Sequence, residues 1–599
     1  MSSSQRDERG ATPTPEAQVT GKDIHGTKPP EVRELTLRAV LAALLVAVVI
    51  GMSYPYVVLK LGFGPNISVV SAFFGFLALG IFSKSYNRWE NNLVQTAGTA
   101  AGQIAFMCWL LAAFDMLRLE PNSGFDVKLT TLEVFLWLSI AGILGVLLAV
   151  PLRKHFIEDE KLAFPDGVAA GETLILLDSR GPQAKKSAVA MVAATVASAA
   201  MMLTTARKWI KDDVIAIGAR AIPVPTGVGL SLSLLNVGSG MIIGVRICFS
   251  MLLGMLASWV IAPGYLIDHG VIAAGAKKVD VLLWVMWPAT GMLVAGGLTS
   301  LLLKWKTLVR TFQTLRGSSV ESGDFPMRWV LGGSLVATIA LVIVQKAFIG
   351  TPVWHTLIAV VLSLPLMLVA MRVLGETNWG PISTMTNVMQ ALFGAIAPGD
   401  LRAGMISSGI TGSVAAESEG LMQDYKTGHM IGSTPRVLTY MQLMAVPVGA
   451  LALAWIYPRL IETYGLGGDN GLSSPTSQRW VGFAKILSKG FSSLHPSALM
   501  ALGVGAVLGI LFTVLEQNPS RRNFIPSPTG IGIGMLVPAA AVSTIFIGSI
   551  VEWVWRKISP SHAEKYAIPV ASGLIAGEAL VAVMLAIVYA AGWWSPPPA

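Results

Sequence analysis

Charge is what this 599-residue chain has least of. Asp, Glu, Lys and Arg make up 13% of it, against about 25% in an ordinary soluble domain. The deficit runs along the whole sequence and leaves too little polar surface to keep a globule of this size in water. Cysteine is nearly absent: Cys108 and Cys248 both lie inside apolar runs, so neither a disulfide framework nor a thiolate metal site is implied. The seven histidines show no ligand spacing, so no metal and no cofactor are expected. No G-x-x-x-x-G-K-[ST] loop is present to cradle the phosphates of ATP. H-E-x-x-H and G-x-S-x-G are missing too, which weighs against a metalloprotease or a hydrolase. No span carries the regularly spaced arginines of a voltage sensor. No cleavable signal peptide is visible, and residues 1–34, polar and charged, read as a disordered cytoplasmic tail.

What fills the chain instead is apolar sequence, 53% of its residues, with a mean hydropathy of +0.64. A helix needs about 20 apolar residues to cross the hydrocarbon core of a bilayer. Runs of that kind lie at 35–58, 66–83, 93–114, 131–152, 187–206, 238–262, 281–303, 328–348, 353–373, 434–457, 495–515, 538–555 and 568–591. Shorter stretches broken by Gly or Pro lie at 163–177, 225–236, 381–397, 403–420 and 525–536. The expected fold is all-α, a polytopic transmembrane helical bundle of about 14–16 spans by the span-length rule. Two related halves, 35–303 and 328–593, are expected to contain broken or re-entrant helices. A basic linker at 304–327 joins them, and a short tail, 594–599, follows.

The net charge of +9 sits in short clusters between apolar runs. That is the positive-inside pattern, and it needs no nucleic acid to explain it. The clusters Lys84/Arg88, Arg153/Lys154/Lys161, Lys185/Lys186, Lys304 to Arg328 and Arg556/Lys557/Lys565 are assigned to the cytoplasm. The segment 115–130, with Asp115, Glu120 and Asp126, is assigned to the outside. The chain thus reads as a multi-pass cell-membrane protein with a cytoplasmic N-terminus and the lipid bilayer as its first partner. Whether it pairs as a homodimer is left open.

Internal echoes support a duplication. P-T-G-V-G-L at Pro225–Leu230 returns as P-T-G-I-G-I at Pro528–Ile533, and G-V-I-A at Gly270–Ala273 returns as G-L-I-A at Gly573–Ala576, both 303 residues later. A second echo joins E-K-L-A-F-P at Glu160–Pro165 to E-K-Y-A-I-P at Glu564–Pro569, each followed by an A-G-E that ends at Glu172 or Glu578. Pro has no N–H and Gly tolerates non-helical dihedrals, so such segments survive at membrane depth only where protein or a wet cavity satisfies their backbone. Paired interruptions in two halves point to a transporter's binding site. That brings forward Thr226, Gly227 and Gly229, and Thr529, Gly530 and Gly532. An interfacial turn or a close helix contact is the competing reading.

Polar side chains at span depth are the other signal, because a charge at mid-bilayer costs about 2.5–3.5 kcal/mol on insertion scales. Glu90, Asn91, Asn92 and Gln95 crowd the start of one span, where a helix cap beside Arg88 is an equal alternative. Asn378, Pro381, Thr384, Asn387 and Gln390 form a stripe, the last three at i, i+3, i+6. Glu417, Glu419 and Asp424, with Tyr425, place three carboxylates on one segment. Arg246 stands alone in an apolar run, open to a substrate role or to structural pairing, and Glu172 and Glu578 either bind something or mark span ends.

Four blocks taken together resemble the signatures of the oligopeptide transporter family, nearest its prokaryotic and yellow-stripe-like branch. They are W-E-N-N-L-V-Q-T-A-G (Trp89–Gly98), F-P-D-G-V-A-A-G-E (Phe164–Glu172), D-Y-K-T-G-H-M-I-G-S-T-P-R (Asp424–Arg436) and S-G-L-I-A-G-E-A-L (Ser572–Leu580). The resemblance runs from about Glu34 to Tyr589. It implies a membrane symporter, usually proton-driven, for short peptides or peptide-like metal chelates. Carried onto matching positions, it adds Asp166, Gly167 and Gly428 to Glu90, Asn91, Asn92, Gln95, Asp424 and Tyr425 as pathway candidates. The proline-rich signatures of the eukaryotic peptide branch are missing, which leaves peptide and chelate both open. The expected mechanism is alternating access driven by an ion gradient, with H+ as the coupling ion. An intramembrane enzyme using paired carboxylates such as Glu417/Glu419 and a channel filtered by the Gly-rich segments are the rival readings.

Overall fold

The structure is a computed structural model, and it describes residues 28, 32–61, 67–82, 86–120, 124–178, 182–210, 214–216, 227–303, 323–466, 472, 474–488, 495–518, 524–590 and 594. The expected linker therefore falls largely outside the described residues, as do most of both tails. The first half contains α1 (Leu37–Leu61), α2 (Ile67–Phe82), α3 (Arg88–Ala105), α4 (Cys108–Leu119), α5 (Thr131–Ala149), α6 (Pro165–Asp178), α7 (Pro182–Ala206), α8 (Leu234–Ile243), α9 (Val245–Met255), α10 (Ala262–Asp268) and α11 (Lys278–Leu303). The second contains α12 (Met327–Val344), α13 (Val353–Thr377), α14 (Ile382–Ile396), α15 (Leu401–Ile431), α16 (Pro435–Tyr464) and α17 (Pro475–Ser488). It ends with α18 (Pro496–Glu516), α19 (Pro528–Leu536), α20 (Ala539–Ile558) and α21 (Pro560–Ala590). One small antiparallel pair, β1 (Val214–Ala216) with β2 (Gly229–Ser231), a 3-10 turn at Val150–Leu152 and π-helical segments at Lys154–Asp159, Leu256–Ile261 and Gln345–Ile349 complete the described elements.

Twelve described helices are long and apolar enough to cross a membrane, and Ile67–Gly80 and Leu234–Ile243 are shorter apolar helices. The bundle is apolar outside and polar at its centre. On α12, Trp329, Leu331, Leu335, Val336, Ile339 and Ile343 are exposed, a face that suits lipid and not water. At the centre, α15 is buried from Ala403 to Ile431 except at His429. Its 31 residues reach about 46 Å at 1.5 Å per residue, enough to cross, although its serines, threonines and acids keep it from reading as a span. The sequence showed only its first part, 403–420, as a broken stretch.

Local chemistry sets the helix boundaries. Asn87 and Glu90 form a reciprocal capping box at the start of α3, and Thr130 and Glu133 do the same for α5, satisfying otherwise orphaned N–H groups. Pro opens α16, α18 and α19, where its missing N–H costs nothing. Residues before α1 are held: Glu34 is buried, and it accepts from the Thr434 N–H at 3.1 Å and hydroxyl at 2.8 Å and pairs with Lys28 at 2.7 Å. The end of the expected disordered tail is thus anchored to the start of α16.

A local repeat joins α8 and α9 to α19 and α20, in a register other than that of the sequence echoes. A methyl group on Gly240 (α8) would collide with the Ile545 carbonyl (α20), and one on Gly548 (α20) with the Val237 carbonyl (α8). A methyl on Gly534 (α19) would strike the Met251 carbonyl (α9), and one on Gly254 (α9) the Ile531 carbonyl (α19). The two sets superimpose with one constant offset of 294 residues: 240 to 534, 254 to 548, 237 to 531, 251 to 545. V-G-S-G-M-I-I at Val237–Ile243 therefore corresponds to I-G-I-G-M-L-V at Ile531–Val537. Each unit is a short helix, a break and a longer span (α9 runs on through Leu256–Ile261 into α10), and the short helix of each packs on the longer span of the other.

This corrects the 303-residue register. Of the Pro225–Gly229 segment, Pro225 and Thr226 lie outside the described residues, Gly227 is exposed, and Gly229 begins β2, whereas Pro528–Gly532 is buried α-helix. The second echo at that offset fails as well, since Gly270–Ala273 is a turn and Gly573–Ala576 is mid-helix. The halves also interleave: α7 packs along α21, and α11 along α18. Two helix bodies result, one built on α1–α3, α5, α13, α15 and α16, the other on α7–α11 and α18–α21.

Gly240→Ala is expected to destabilise the protein by about 1–3 kcal/mol through overpacking against backbone. Gly503→Ala on α18, where a methyl meets nothing within 4 Å, should be neutral or gain about 0.5–1 kcal/mol from reduced chain entropy. Thermal unfolding of both purified variants checks the pair.

A second expectation concerns Asp324, which lies just before α12 and receives Arg153 at 2.8 Å and Lys154 at 2.9 Å. Burial pushes its pKa up, but the Lys154 hydrogen bond and the charges of Arg153 and Lys154 outweigh it and hold the carboxyl below its usual value. A folded pKa below the unfolded one means stabilisation fully present above about pH 3.9 and lost as pH falls through the folded value. Asp324→Asn should lower the melting temperature at neutral pH and flatten its decline in acid, read from melting curves across pH.

Candidate functional site

α15 carries the site. Glu417 and Asp424 are seven residues apart, two helical turns, so they share a face, while Glu419 points to the opposite side. All three are buried. Asp424 accepts from the Gln95 Nε2 of α3 at 2.6 Å and from the Gln442 Nε2 of α16 at 2.8 Å. Glu417 lies against α5 because Gly142 has no side chain; a Cβ there would stand 3.2 Å from the Glu417 Cγ. Glu419 fits against Gly380, in the break between α13 and α14, where a Cβ would strike its carboxylate. Gln103 of α3 packs on Gly420, with only 2.6 Å between its Cγ and a Cβ built there.

Acceptors predominate among the unpartnered groups of this core, and the buried Lys426 stands on the same helix. Both Glu417 oxygens, the Glu419 Oε1 and the carbonyl oxygens of Gln95, Gln103 and Gln442 are buried without a hydrogen-bond partner among the described residues. Unpaired acceptors far outnumber donors here. Carboxylates in such a place stay charged only at a cost of several kcal/mol, about 2.5–3.5 each on insertion scales. No group of three or more His, Cys, Asp and Glu side chains among the described residues is arranged to hold a metal ion.

Other residues expected from the sequence gather round the same helix. Asn92 donates to the Ser433 Oγ at 2.8 Å, and Asn91 is buried beside Gly75. Gly167 lets α6 approach so closely that a Cβ would lie 2.5 Å from the Gln423 carbonyl, and its own carbonyl accepts from Thr427 at 2.8 Å. Asp166 and Asn378 bond reciprocally, backbone N–H to Asn378 Oδ1 at 3.1 Å and Asn378 Nδ2 to Asp166 Oδ1 at 2.7 Å. The left-handed φ of 60° at Asn378 ends α13 and so ties the break at Gly380 to the start of α6. Tyr425 meets the Thr439 hydroxyl at 2.6 Å, and Gly428 makes room for Leu438. Thr384, Asn387 and Gln390 are buried on α14, which runs along α15. Gln390 donates to the Met405 sulfur at 3.2 Å and lines a crevice with Gly399, Asp400 and Ser488.

The remaining candidates lie elsewhere. Glu90, completely buried, receives Arg38 Nε and Nη2 at 2.8 Å each and the Thr36 hydroxyl at 2.5 Å, which makes it a cap and an ion-pair partner. Arg246 pairs with Glu516 at 2.7 Å and donates to the Ile525 carbonyl. Glu172 is half-buried on α6. Glu578 accepts from Ser233 and the Leu235 N–H at the start of α8. Thr529, Gly530 and Gly532 belong to α19, and Gly530 and Gly532 admit Ser250 and Leu293 as packing neighbours. Sequence reasoning missed Gln442 and Gln103 in the core, and the cluster of Glu160, Arg372 and Glu376 at the joint between the bodies. Gln442 and Arg372 each stood as a lone polar residue in an apolar run, which was the available signal.

The family model described as OPT oligopeptide transporter protein matches residues 34–589. The chain belongs to that family. It is similar to a metal-nicotianamine transporter of Arabidopsis thaliana, 24% identical over 97% of this chain and 94% of the relative. A second Arabidopsis metal-nicotianamine transporter is 25% identical over 93% and 94%. A Haemophilus influenzae protein named, provisionally, for oligopeptide transport is 25% identical over 90% and 92%. This OPT-family chain is a multi-pass membrane transporter, and its polar α15, not its apolar spans, sets the character of its interior.

The Arg38–Glu90 pair gives a test of the structural assignment of Glu90. Arg38→Gln is expected to cost about 1–3 kcal/mol by leaving a buried carboxylate without its donor. Adding Glu90→Gln should recover part of the loss. A double-mutant cycle on melting temperature measures this coupling, and strict additivity would count against it.

Proposed function

We propose that the chain is a proton-coupled secondary transporter that carries oligopeptides or peptide-like metal chelates by alternating access. One observation carries the reading: Glu417, Glu419 and Asp424 are buried on a central helix with carboxamides as partners or none. Such acids bind protons readily and release them once water or a cationic substrate reaches them. Glu419, beside the break at Gly380, faces the side on which α6 packs, and is the acid placed to meet a substrate's ammonium or chelated cation. Glu417 and Asp424, on the inner face, hold the coupling proton. The names of the relatives supply the substrate class, peptide in one case and metal-nicotianamine in the other.

Movement is assigned to the two helix bodies, which rock about the joint where α13 meets α19, with the N-terminus on the cytoplasmic side. Broken helices at such a joint provide unpaired backbone groups for a zwitterionic ligand and a hinge for the motion.

The experiment is uptake of a labelled short peptide and of a metal-nicotianamine chelate into proteoliposomes. An imposed pH gradient is expected to drive accumulation. Asp424→Asn, which keeps the shape but cannot ionise, should abolish gradient-driven accumulation while leaving substrate counterflow. Accumulation indifferent to the pH gradient in the unmodified protein would sink the coupling.

A further inference from the structure

The 294-residue repeat extends to the helix caps, and there its two copies differ in an informative way. Ser233 opens α8 and accepts from the Asn236 N–H at 3.3 Å; its equivalent, Ser527, opens α19 and accepts from the Gly530 N–H at 3.2 Å. At α8 a carboxylate completes the cap. Glu578 accepts from the Ser233 hydroxyl at 2.8 and 3.0 Å and from the Leu235 N–H at 3.0 Å. At α19 the carboxylate that faces Ser527 is Glu376 of α13, which belongs to the other helix body. Its one contact with Ser527 is long, 3.4 Å. Among the described residues no hydrogen bond joins it to Thr529, the equivalent of Leu235.

Glu376 is instead drawn to Arg372, one turn back on α13, at 2.8 Å. Arg372 also binds Glu160, whose carboxylate stands 2.9 Å from the buried His155 Nε2. Across the joint, Arg246 and Glu516 form the pair next to it, within electrostatic reach of Glu376. The joint between the bodies thus holds three carboxylates, two guanidinium groups and one imidazole, with Glu376 at the point where both sides claim it. A helix N-terminus attracts a carboxylate through its partial positive charge and free N–H groups, and the copy at α8 displays that arrangement fully formed.

We propose that Glu376 is a two-position carboxylate. It is held by Arg372 in this conformation and transfers onto the N-terminus of α19, as Glu578 sits on α8, when the bodies shift. The exchange of partners latches one conformation by an ion pair and the other by a helix cap. Its consequence for transport rests on the alternating-access reading; the partner exchange itself does not. Pro528 stands where α8 has Leu234, so this cap has one N–H fewer and holds less firmly than its twin, as a reversible latch requires.

Hydrogen–deuterium exchange of the full chain in nanodiscs tests it at the amides of 529–531. Arg372→Gln frees Glu376 for the cap and is expected to slow their exchange about fivefold, the effect of one side-chain cap. Adding Glu376→Gln should cancel that protection. Glu160→Gln, which leaves Arg372 wholly to Glu376, should speed exchange, and this variant serves even if Arg372→Gln fails to fold. Glu578→Gln should speed the amides of 234–236 about fivefold. Unchanged exchange in Arg372→Gln, slower exchange in Glu160→Gln, protection that survives the double substitution, or no effect of Glu578→Gln would each overturn the proposal. Because no substrate is involved, these outcomes are independent of whether proteoliposome uptake follows the pH gradient.

Discussion

A polar helix that crosses the interior of a membrane protein must have every charge and hydrogen-bonding group satisfied by its neighbours, because lipid offers nothing. α15 imposes that condition on the whole bundle. Its serines and threonines turn back to their own carbonyls, as Ser413 does to Gly409 and Ser418 to Val414. Asp424 takes carboxamides from α3 and α16, and the small residues of α15 require close neighbours. The surrounding helices are arranged to meet those needs: Gly142, Gly167 and Gly380 each remove a side chain where α15 presents one. Both oxygens of Glu417 and one of Glu419 are left without a hydrogen-bond partner among the described residues at the end of this arrangement.

The second body obeys a different rule. Around α8, α9, α19 and α20 the contacts are backbone against glycine, repeated with a constant spacing of 294 residues. With no hydrophobic drive between helices in lipid, such close approach supplies the dispersion that holds them. The charges at the edge of this body, Arg246, Glu516 and the cap of α19, meet those of Arg372, Glu376 and Glu160 on the other. The molecule thus separates into a body built round a polar helix and a body packed on glycine, with an ionic seam between.

Relatives at 24–25% identity across nine-tenths or more of this chain carry the family and not the division into bodies. Two of them are named for metal-nicotianamine and one for oligopeptides.

Sequence by itself determined the class: the shortage of charge and the length of the apolar runs require a helical bundle in lipid, and the polar positions near Trp89, Phe164 and Asp424 marked the stretches that come together in the core. Those inferences hold because desolvation acts on each residue locally, whatever the fold. Gln442 reaching Asp424, Glu90 closing on Arg38 and the true register of the repeat were decided by tertiary structure. Pairing across 18 to 294 residues leaves no local trace, and in a chain with 61 glycines a chance echo at 303 looks as good as the real one until backbone carbonyls show which glycines they need.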